Sequence, residues 1–190
     1  MLMWHRSSGG RAGCRLPDID GLTTAKCLEA TRSIMSASRY GFVCIGSADG
    51  ASPTCRIMDI HLHPSPNDSL CCSLITRDWT RKASELRRYP QCTLAFHDPR
   101  AAGENGYAVL HGIVTEVAEP SQREECWKPS WSYFHSGGPR GSSLIWRFVP
   151  DRIEVISHAH NIAPAWSPAT ILRKDSNWVL LDSNPKRPGS

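Results

Sequence analysis

The sequence has no long apolar run. None of its stretches approaches the roughly 20 uninterrupted apolar residues that a membrane-spanning helix needs, and no apolar core lies near the N-terminus where a secretion signal would have one. We therefore expect a cytoplasmic protein without a membrane partner. The first 17 residues contain no acidic side chain, which leaves mitochondrial import as a minor alternative.

Long runs of one charge are also missing. Lys and Arg number 22 against 18 Asp and Glu, giving a net charge of +4, and the basic residues are scattered. Proteins that bind nucleic acid usually gather them into a patch, so we expect no nucleic-acid partner and favour a small anionic ligand. The 190 residues, 40% of them hydrophobic, suffice for one core. We expect one domain over 22–182, with flexible tails at 1–21 and 183–190.

The eight cysteines include no Cys-x-x-Cys pair, so the spacing typical of zinc and redox motifs is absent. Most of them stand in apolar, strand-like stretches and are expected to be reduced core thiols. His61 and His63, like His158 and His160, would share one face of a strand, a spacing that metal sites use. No Asp, Glu or Cys is placed in the sequence to complete a ligand set, and we expect no metal site.

Hydrophobic periodicity predicts a mainly β chain. Residues 22–37 show helical spacing, 120–137 are also expected to be helical, and Gly112 predicts a bulge or a close approach of two strands. Asp49-Gly50 predicts a hairpin turn. Strands are expected over 40–47, 53–63, 69–76, 91–98 and 107–119, with two more short strands in 143–159 bent at Pro150. At least six strands with isolated helices between them indicate a closed antiparallel barrel with helices outside.

The stretch 76–86, TRDWTRKASEL, predicts a helix with an unusual charge. Asp78 or Thr80 can cap it, yet its first turn carries Arg81 and Lys82, where the positive end of the helix dipole favours acids. A bound phosphate would offset that cost, because helix N–H groups and cationic side chains together form an anion site. A solvated basic surface is the alternative.

Three pieces of the sequence together resemble the pyridoxamine 5′-phosphate oxidase superfamily of FMN-binding split barrels, in particular its general-stress-protein-type members. They are CRIMDIHLH (55–63), SLITRDWTRKASELRRYPQCTLAF (73–96), which is the most specific, and YAVLHGIVTEV (107–117). The resemblance runs over 22–182. It implies a mainly β fold with peripheral helices, a six-stranded antiparallel Greek-key split barrel, in a homodimer that holds FMN at the subunit interface.

The resemblance also implies which residues bind the cofactor. Those that would hold the FMN phosphate are Arg56, Thr76, Arg81 and Lys82. Those that would contact the flavin ring are Ile57, Met58, Asp59, Ile75 and Tyr107, the last standing where the vitamin B6 oxidases place a Gln. Trp131 is a further candidate for stacking on the ring.

The part of the chain that would bind substrate departs from the vitamin B6 oxidases. Their Arg-Leu-His-type motif after the final strand is missing, and the corresponding region reads RIEVISHAHN (152–161). We therefore expect an FMN-dependent oxidoreductase whose substrate is not pyridoxamine phosphate. His61 is the one candidate for acid–base catalysis. The alternatives are a non-catalytic flavin-binding or stress-related protein, and a split barrel that uses deazaflavin or haem.

Overall fold

The structure is a computed structural model that describes residues 21–46, 52–63, 70–99, 106–162 and 167–181. The predicted Asp49-Gly50 turn and, apart from Gly21, the two predicted tails lie outside these residues. The helices are α1 (Thr24–Ala37), α2 (Arg81–Arg88) and α3 (Pro120–Glu125), with 3₁₀ turns at Pro129–Tyr133 and Gly138–Arg140. The strands are β1 (Gly41–Ile45), β2 (Thr54–Met58), β3 (His61–Leu62), β4 (Cys72–Arg77), β5 (Gln91–His97), β6 (Gly106–Glu116), β7 (Ser143–Ser157), β8 (Ala169–Lys174) and β9 (Asn177–Leu180).

The strands pair antiparallel in the order β2-β1-β5-β6-β7-β4-β3. Only Asp59 and Ile60 separate β2 from β3, so these two strands are halves of one bent strand, and the circuit is completed through the backbone at that bend. Counted in this way, six strands form the barrel, and β8 and β9 extend it from β7 as a hairpin. The prediction of an antiparallel barrel is confirmed. The strand count differs from the predicted six because one strand is interrupted between β2 and β3 and because the β8–β9 hairpin is added.

Helix α1 packs across β5 to β9. The predicted spacing holds for most of its apolar side chains: Leu28, Ala30, Ile34 and Met35 are buried, whereas Ala25 is exposed. These side chains join one core with the alternate, inward-facing residues of the strands. None of the helices in the described part of the chain is long and apolar enough to cross a membrane.

Strand β7 is continuous, where two short strands had been predicted. Its pairing with β6 shifts by one residue: His111 lies opposite Arg152, and Gly112 lies opposite Pro150. Asp151 is therefore the additional residue of a β-bulge, which also explains how a proline stands in a central strand. A β-carbon on Gly112 would lie 2.2 Å from a carbonyl oxygen of β7, so the close approach predicted at this glycine is confirmed.

A segment over 117–142 joins β6 to β7 and contains α3 and both 3₁₀ turns. Arg123 holds it together. Its guanidinium donates to four backbone carbonyls, those of Val117 (3.3 Å), Pro139 (2.7 Å), Gly141 (3.1 Å) and Ser143 (2.7 Å). One side chain thus ties the beginning of this connection to its end, and the residues between them are presented beside the β2–β3 bend.

Candidate cofactor site

The start of α2 is basic and lacks a side-chain cap. Thr80 occupies the N-cap position, but its hydroxyl donates to a carbonyl in the preceding turn (2.7 Å) and caps no helix N–H in the described chain. Asp78, the other predicted cap, instead pairs with Arg87 (2.8 Å). The first turn carries Arg81 and Lys82 and no acid. The side chains therefore reinforce the positive end of the dipole, which favours a bound anion.

A carboxylate links two of the three cations at this site. Glu85 accepts from Arg56 (2.8 Å) and lies 3.2 Å from the side chain of Arg81. Thr54 donates to Glu85 (3.2 Å) and accepts from Arg56 (2.7 Å). Arg56 and Glu85 are each only 20% exposed, so they are less screened by water than a surface ion pair. This network fixes the position of Arg56 between β2 and α2.

Lys82 is the third cation, and its side chain is partly buried. Burial first, and then the charge of Arg56, lower the pKa of its ammonium from its ordinary value. Both effects disfavour the charged form, and no acidic side chain among the described residues offsets them. A dianion bound beside Lys82 would relieve the repulsion from Arg56.

Lys82 also lines a cleft of about 590 Å³, a volume typical of small-molecule sites. Apolar and aromatic side chains form much of its wall. The lining residues are Arg39, Tyr40, Ile57, Met58, Asp59, Ile75, Lys82, Lys128, Ser130, Trp131, Tyr133, Phe134 and His135. A second cleft of about 350 Å³ shares Phe134 and His135 with the first and is also lined by Arg77 and Trp79. A cleft with an apolar and aromatic wall that also contains Lys82 suits a planar ring that carries an anionic tail.

Residues of the 117–142 segment form one side of the larger cleft. Lys128 donates to the Asp59 carboxylate and to the carbonyl of Ile60 (3.2 Å), which anchors the segment to the β2–β3 bend. Trp131 is 1% exposed and meets Trp127 edge-on, with ring centroids 5.8 Å apart. Its indole nitrogen is buried without a hydrogen-bond partner in the described chain, an unmet donor in a residue that lines the cleft.

Comparison with known proteins identifies the fold. No protein-family model matches the sequence, and no curated protein sequence matches it significantly. Solved structures do match. A Clostridium acetobutylicum protein related to general stress protein 26, of the pyridoxinephosphate oxidase family, superposes with a TM-score of 0.58 at 15% identity, covering 72% of this chain and 92% of that one. The chain has the split-barrel fold of the pyridoxamine 5′-phosphate oxidase superfamily.

Two further split barrels show the range of these matches. A candidate pyridoxamine 5′-phosphate oxidase from Listeria innocua superposes with a TM-score of 0.55 at 19% identity. The match covers 68% of this chain and 97% of that one. A haem-binding protein from Mycobacterium smegmatis reaches 0.54 at 14% identity, over 71% of this chain and 55% of its own. The resemblance drawn from the sequence is thus confirmed at the level of the fold.

The split barrel brings most of the predicted residues together. Those that line the larger cleft are Ile57, Met58, Asp59, Ile75, Lys82 and Trp131. Arg56 and Arg81 lie beside it in the Glu85 network. The sequence thus predicted which basic side chains lie together and one wall of the cleft; phosphate binding there stays a prediction.

Three predicted residues lie elsewhere. The Thr76 hydroxyl is inside the barrel, 1% exposed, and accepts from the indole of Trp146 (2.9 Å). Tyr107 is on β6, three strands away from β2 in either direction around the barrel. His61 lies behind the cleft, its ring centroid 6.1 Å from that of Trp131. Burial first, and then His63 and Lys128, lower the pKa of His61, which keeps the imidazole neutral at pH 7.

The His61–His63 pair does share one side of its strand, with ring centroids 5.4 Å apart. His63 makes a hydrogen bond with the Ser73 hydroxyl (2.5 Å). Within the described residues, no group of three or more His, Cys, Asp or Glu side chains lies close enough together to hold a metal ion.

Several residues of the site escaped sequence reasoning. Lys128 pairs with Asp59 across 69 positions of sequence, and no local pattern connects them. Tyr133, Phe134 and His135 lie within the helix predicted over 120–137, but that helix ends at Glu125 and 3₁₀ turns and irregular backbone follow it. Arg39 and Tyr40 come directly before β1, and the pairing of β1 with β2 places them beside Ile57.

Proposed function

We propose that this protein is an FMN-dependent oxidoreductase of the split-barrel type, with the FMN phosphate at the start of α2 and the ring in the larger cleft. The observation that carries the proposal is the partly buried Lys82. It lines the cleft beside Arg56, with a pKa lowered by burial and by that neighbour. A dianionic phosphate would supply the negative charge that this position lacks.

The charges at the site match such a group. Arg56, Arg81 and Lys82 contribute three positive charges and Glu85 one negative charge, so the cluster carries +2, equal and opposite to a phosphate dianion. Charge-assisted hydrogen bonds contribute about 1.5–3 kcal/mol each. Three of them approach the ~8 kcal/mol of a micromolar complex, but ordering both partners consumes part of this. Contacts of the ring with Ile57, Tyr133 and Phe134, which line the cleft and are exposed, would supply the remainder.

Bound flavin would supply electron or hydride transfer between a donor and an acceptor, and the chain would bind and orient it. Lys82, Arg56 and Arg81 would fix the phosphate. Trp131 would offer its unmet indole N–H to a ring acceptor. His61 stays the candidate for acid–base catalysis, as a neutral imidazole that packs against Trp131. The absent substrate motif leads us to propose a substrate other than pyridoxamine phosphate.

The proposal includes a homodimer. Phe42 on β1 and Ile57 on β2 are directly paired in register and are 41% and 64% exposed, an arrangement of apolar side chains that a second subunit would cover. Tyr107, on the opposite wall of its own barrel, would reach a flavin only from that second copy. The seven cysteines of the described chain are free thiols, which fits the reducing cytoplasm we propose as the location.

The test is a titration of FMN and of riboflavin, which lacks the phosphate, followed by flavin fluorescence. The wild-type chain should bind FMN at least tenfold more tightly than riboflavin, because each charge-assisted bond of about 1.5–3 kcal/mol contributes tenfold or more. R81A/K82A should remove that preference. Arg88→Ala, at the other end of α2, is the matched control and should leave it intact. Equal binding of the two flavins by the wild type would refute the phosphate site.

Activity is tested separately by oxidation of NAD(P)H. An oxidoreductase should consume NAD(P)H faster than the same concentration of free FMN. A loaded protein that gives no acceleration with either nucleotide would support the non-catalytic flavin carrier instead. If the purified protein shows the absorption spectrum of haem or of deazaflavin, that group would replace FMN as the proposed cofactor.

A further inference from the structure

We propose that Cys44 and Cys55 form a dithiol site that reacts with low-molecular-weight disulfides by thiol–disulfide exchange and closes into a disulfide between β1 and β2. Their sulfur atoms are 3.1 Å apart. The two residues are direct partners in the antiparallel ladder. Neither residue is among those that line the cleft proposed for FMN.

The backbone already brings the two residues to the distance that a disulfide requires. Directly opposed residues of an antiparallel pair have Cα atoms about 4.5–5.5 Å apart, inside the ~4.4–6.8 Å range of disulfides. Closure therefore needs only side-chain rotation and leaves the register of β1 and β2 unchanged.

Both thiols face outward from the barrel. Along β1 the neighbours Val43 and Ile45 are buried, whereas Cys44 is partly exposed. Along β2, Cys55 is exposed and Arg56 is less so. A small disulfide in solvent thus has access to Cys55 first. Burial, and then contact with Cys55, raise the pKa of Cys44 to about 11, which keeps this second thiol protonated until exchange has begun.

The other cysteines of the described chain are arranged differently. Cys27, Cys72, Cys92 and Cys126 are buried. Cys71 is partly exposed, but its sequence neighbour Cys72 is completely buried. Alternation along a strand turns the side chains of Cys71 and Cys72 to opposite faces. Direct pairing across two strands places Cys44 and Cys55 on the same face.

The reaction balances without a metal or a flavin. Cys55 loses its proton, and its thiolate attacks one sulfur of RSSR, which forms the mixed disulfide and releases RS⁻ to take up that proton. Cys44 then loses its proton and attacks the Cys55 sulfur. The mixed S–S bond breaks, and a second RSH leaves. Two protein thiols are oxidised to one disulfide, and RSSR is reduced to two RSH.

The experiment treats the reduced full-length chain with oxidised glutathione under native conditions. Free thiols are then blocked with N-ethylmaleimide, and the digest is mapped by mass spectrometry. We expect the wild type to yield a Cys44–Cys55 linkage. Cys44→Ser should stop at a stable glutathione adduct on Cys55, and Cys55→Ser should leave Cys44 unmodified. Cys71→Ser is the matched control and should form the linkage as the wild type does.

Phenylarsine oxide provides a second measurement that needs no variant. Its trivalent arsenic forms a bond with each of two neighbouring thiols and releases water. The wild type should take up one equivalent at Cys44 and Cys55. Accumulation of the Cys55 adduct without closure in the wild type, linkage of Cys55 to another cysteine, or arsenical uptake elsewhere would each overturn the proposal.

Discussion

Lys82 is the residue whose position is hardest to explain by stability alone. Arg56 and Arg81 share the Glu85 carboxylate, which compensates one of their two charges in the folded chain. Lys82 is partly buried beside Arg56 without such compensation in the described structure. A side chain held at a cost to the fold is typical of functional sites, because binding recovers what folding loses.

Replacing Lys82 with Met should therefore stabilise the unliganded protein and weaken FMN binding. Because the pKa of Lys82 is lowered in the fold, the unfolded chain binds its proton more tightly, and stability rises with pH through the window up to about 10.5. Lys82→Met removes this cost. We expect a gain of less than ~1 kcal/mol at pH 7, since the ammonium still contacts water, and a smaller gain as pH approaches 10.5.

Urea denaturation at pH 7 and pH 10 measures the effect on the free energy of unfolding, and FMN titration measures the effect on affinity. Lys174→Met, at an exposed position of β8, is the control and should change neither. A Lys82→Met protein that is less stable at pH 7 and binds FMN normally would show that Lys82 serves the fold.

At the scale of elements, the 117–142 segment builds the cleft wall and is held by Arg123. Replacing Arg123 with Met removes donors to four carbonyls and keeps a similar apolar stem. We expect faster amide exchange across 117–142, unchanged protection in β5 and β6, and FMN binding weakened roughly tenfold, or ~1.4 kcal/mol.

Hydrogen exchange read by mass spectrometry resolves the segment from the barrel. Arg140→Met is the control, because the Arg140 side chain is 78% exposed and pairs with Glu124 at the surface. Equal effects of the two variants would mean that Arg123 is not the particular anchor of the segment.

The bulge between β6 and β7 makes a separate prediction about the barrel. A β-carbon at position 112 would meet the Val149 carbonyl oxygen at 2.2 Å and the Pro150 α-carbon at 2.8 Å, and both belong to backbone that must move. Gly112→Ala should lower the free energy of unfolding by about 2–4 kcal/mol. Gly46→Ala, where nothing lies within 4 Å of the added carbon, should cost far less. Similar urea midpoints for both variants would contradict this account.

The strands also show which features of the fold could be predicted from the sequence and which could not. Strands were predicted over 91–98 and 107–119, and β5 and β6 do show alternate burial, because each strand has one face in the core. In β4, five successive residues are buried, so no alternation indicates that Thr76 turns inward to Trp146. The pairing of Lys128 with Asp59 depends on barrel closure, a long-range event that no window of local sequence contains. Part of the basic cluster was predictable because Arg81 and Lys82 lie within one helical turn.

At the scale of the molecule, the barrel exposes several apolar side chains on one part of its outer surface. Phe42 and Ile57 are paired across β1 and β2 and extensively exposed. They adjoin the cleft, since Ile57 lines it along with Tyr133 and Phe134, which are 87% and 72% exposed. A second subunit on this surface would cover these side chains and close the cleft in one step, so dimerisation and FMN binding should be linked.

Phe42→Asp tests that linkage, because Phe42 is outside the cleft lining yet beside Ile57. A carboxylate that must be desolvated at an interface costs ~2 kcal/mol or more, so the dimer should dissociate at concentrations at least tenfold higher than the wild type does. FMN affinity should fall with it, although every cleft residue is retained. Val179→Asp on β9, which replaces a side chain 38% exposed, should leave both unchanged. Sedimentation velocity with and without FMN decides the matter: a Phe42→Asp monomer that binds FMN as tightly as the wild type would place the complete cofactor site within one chain.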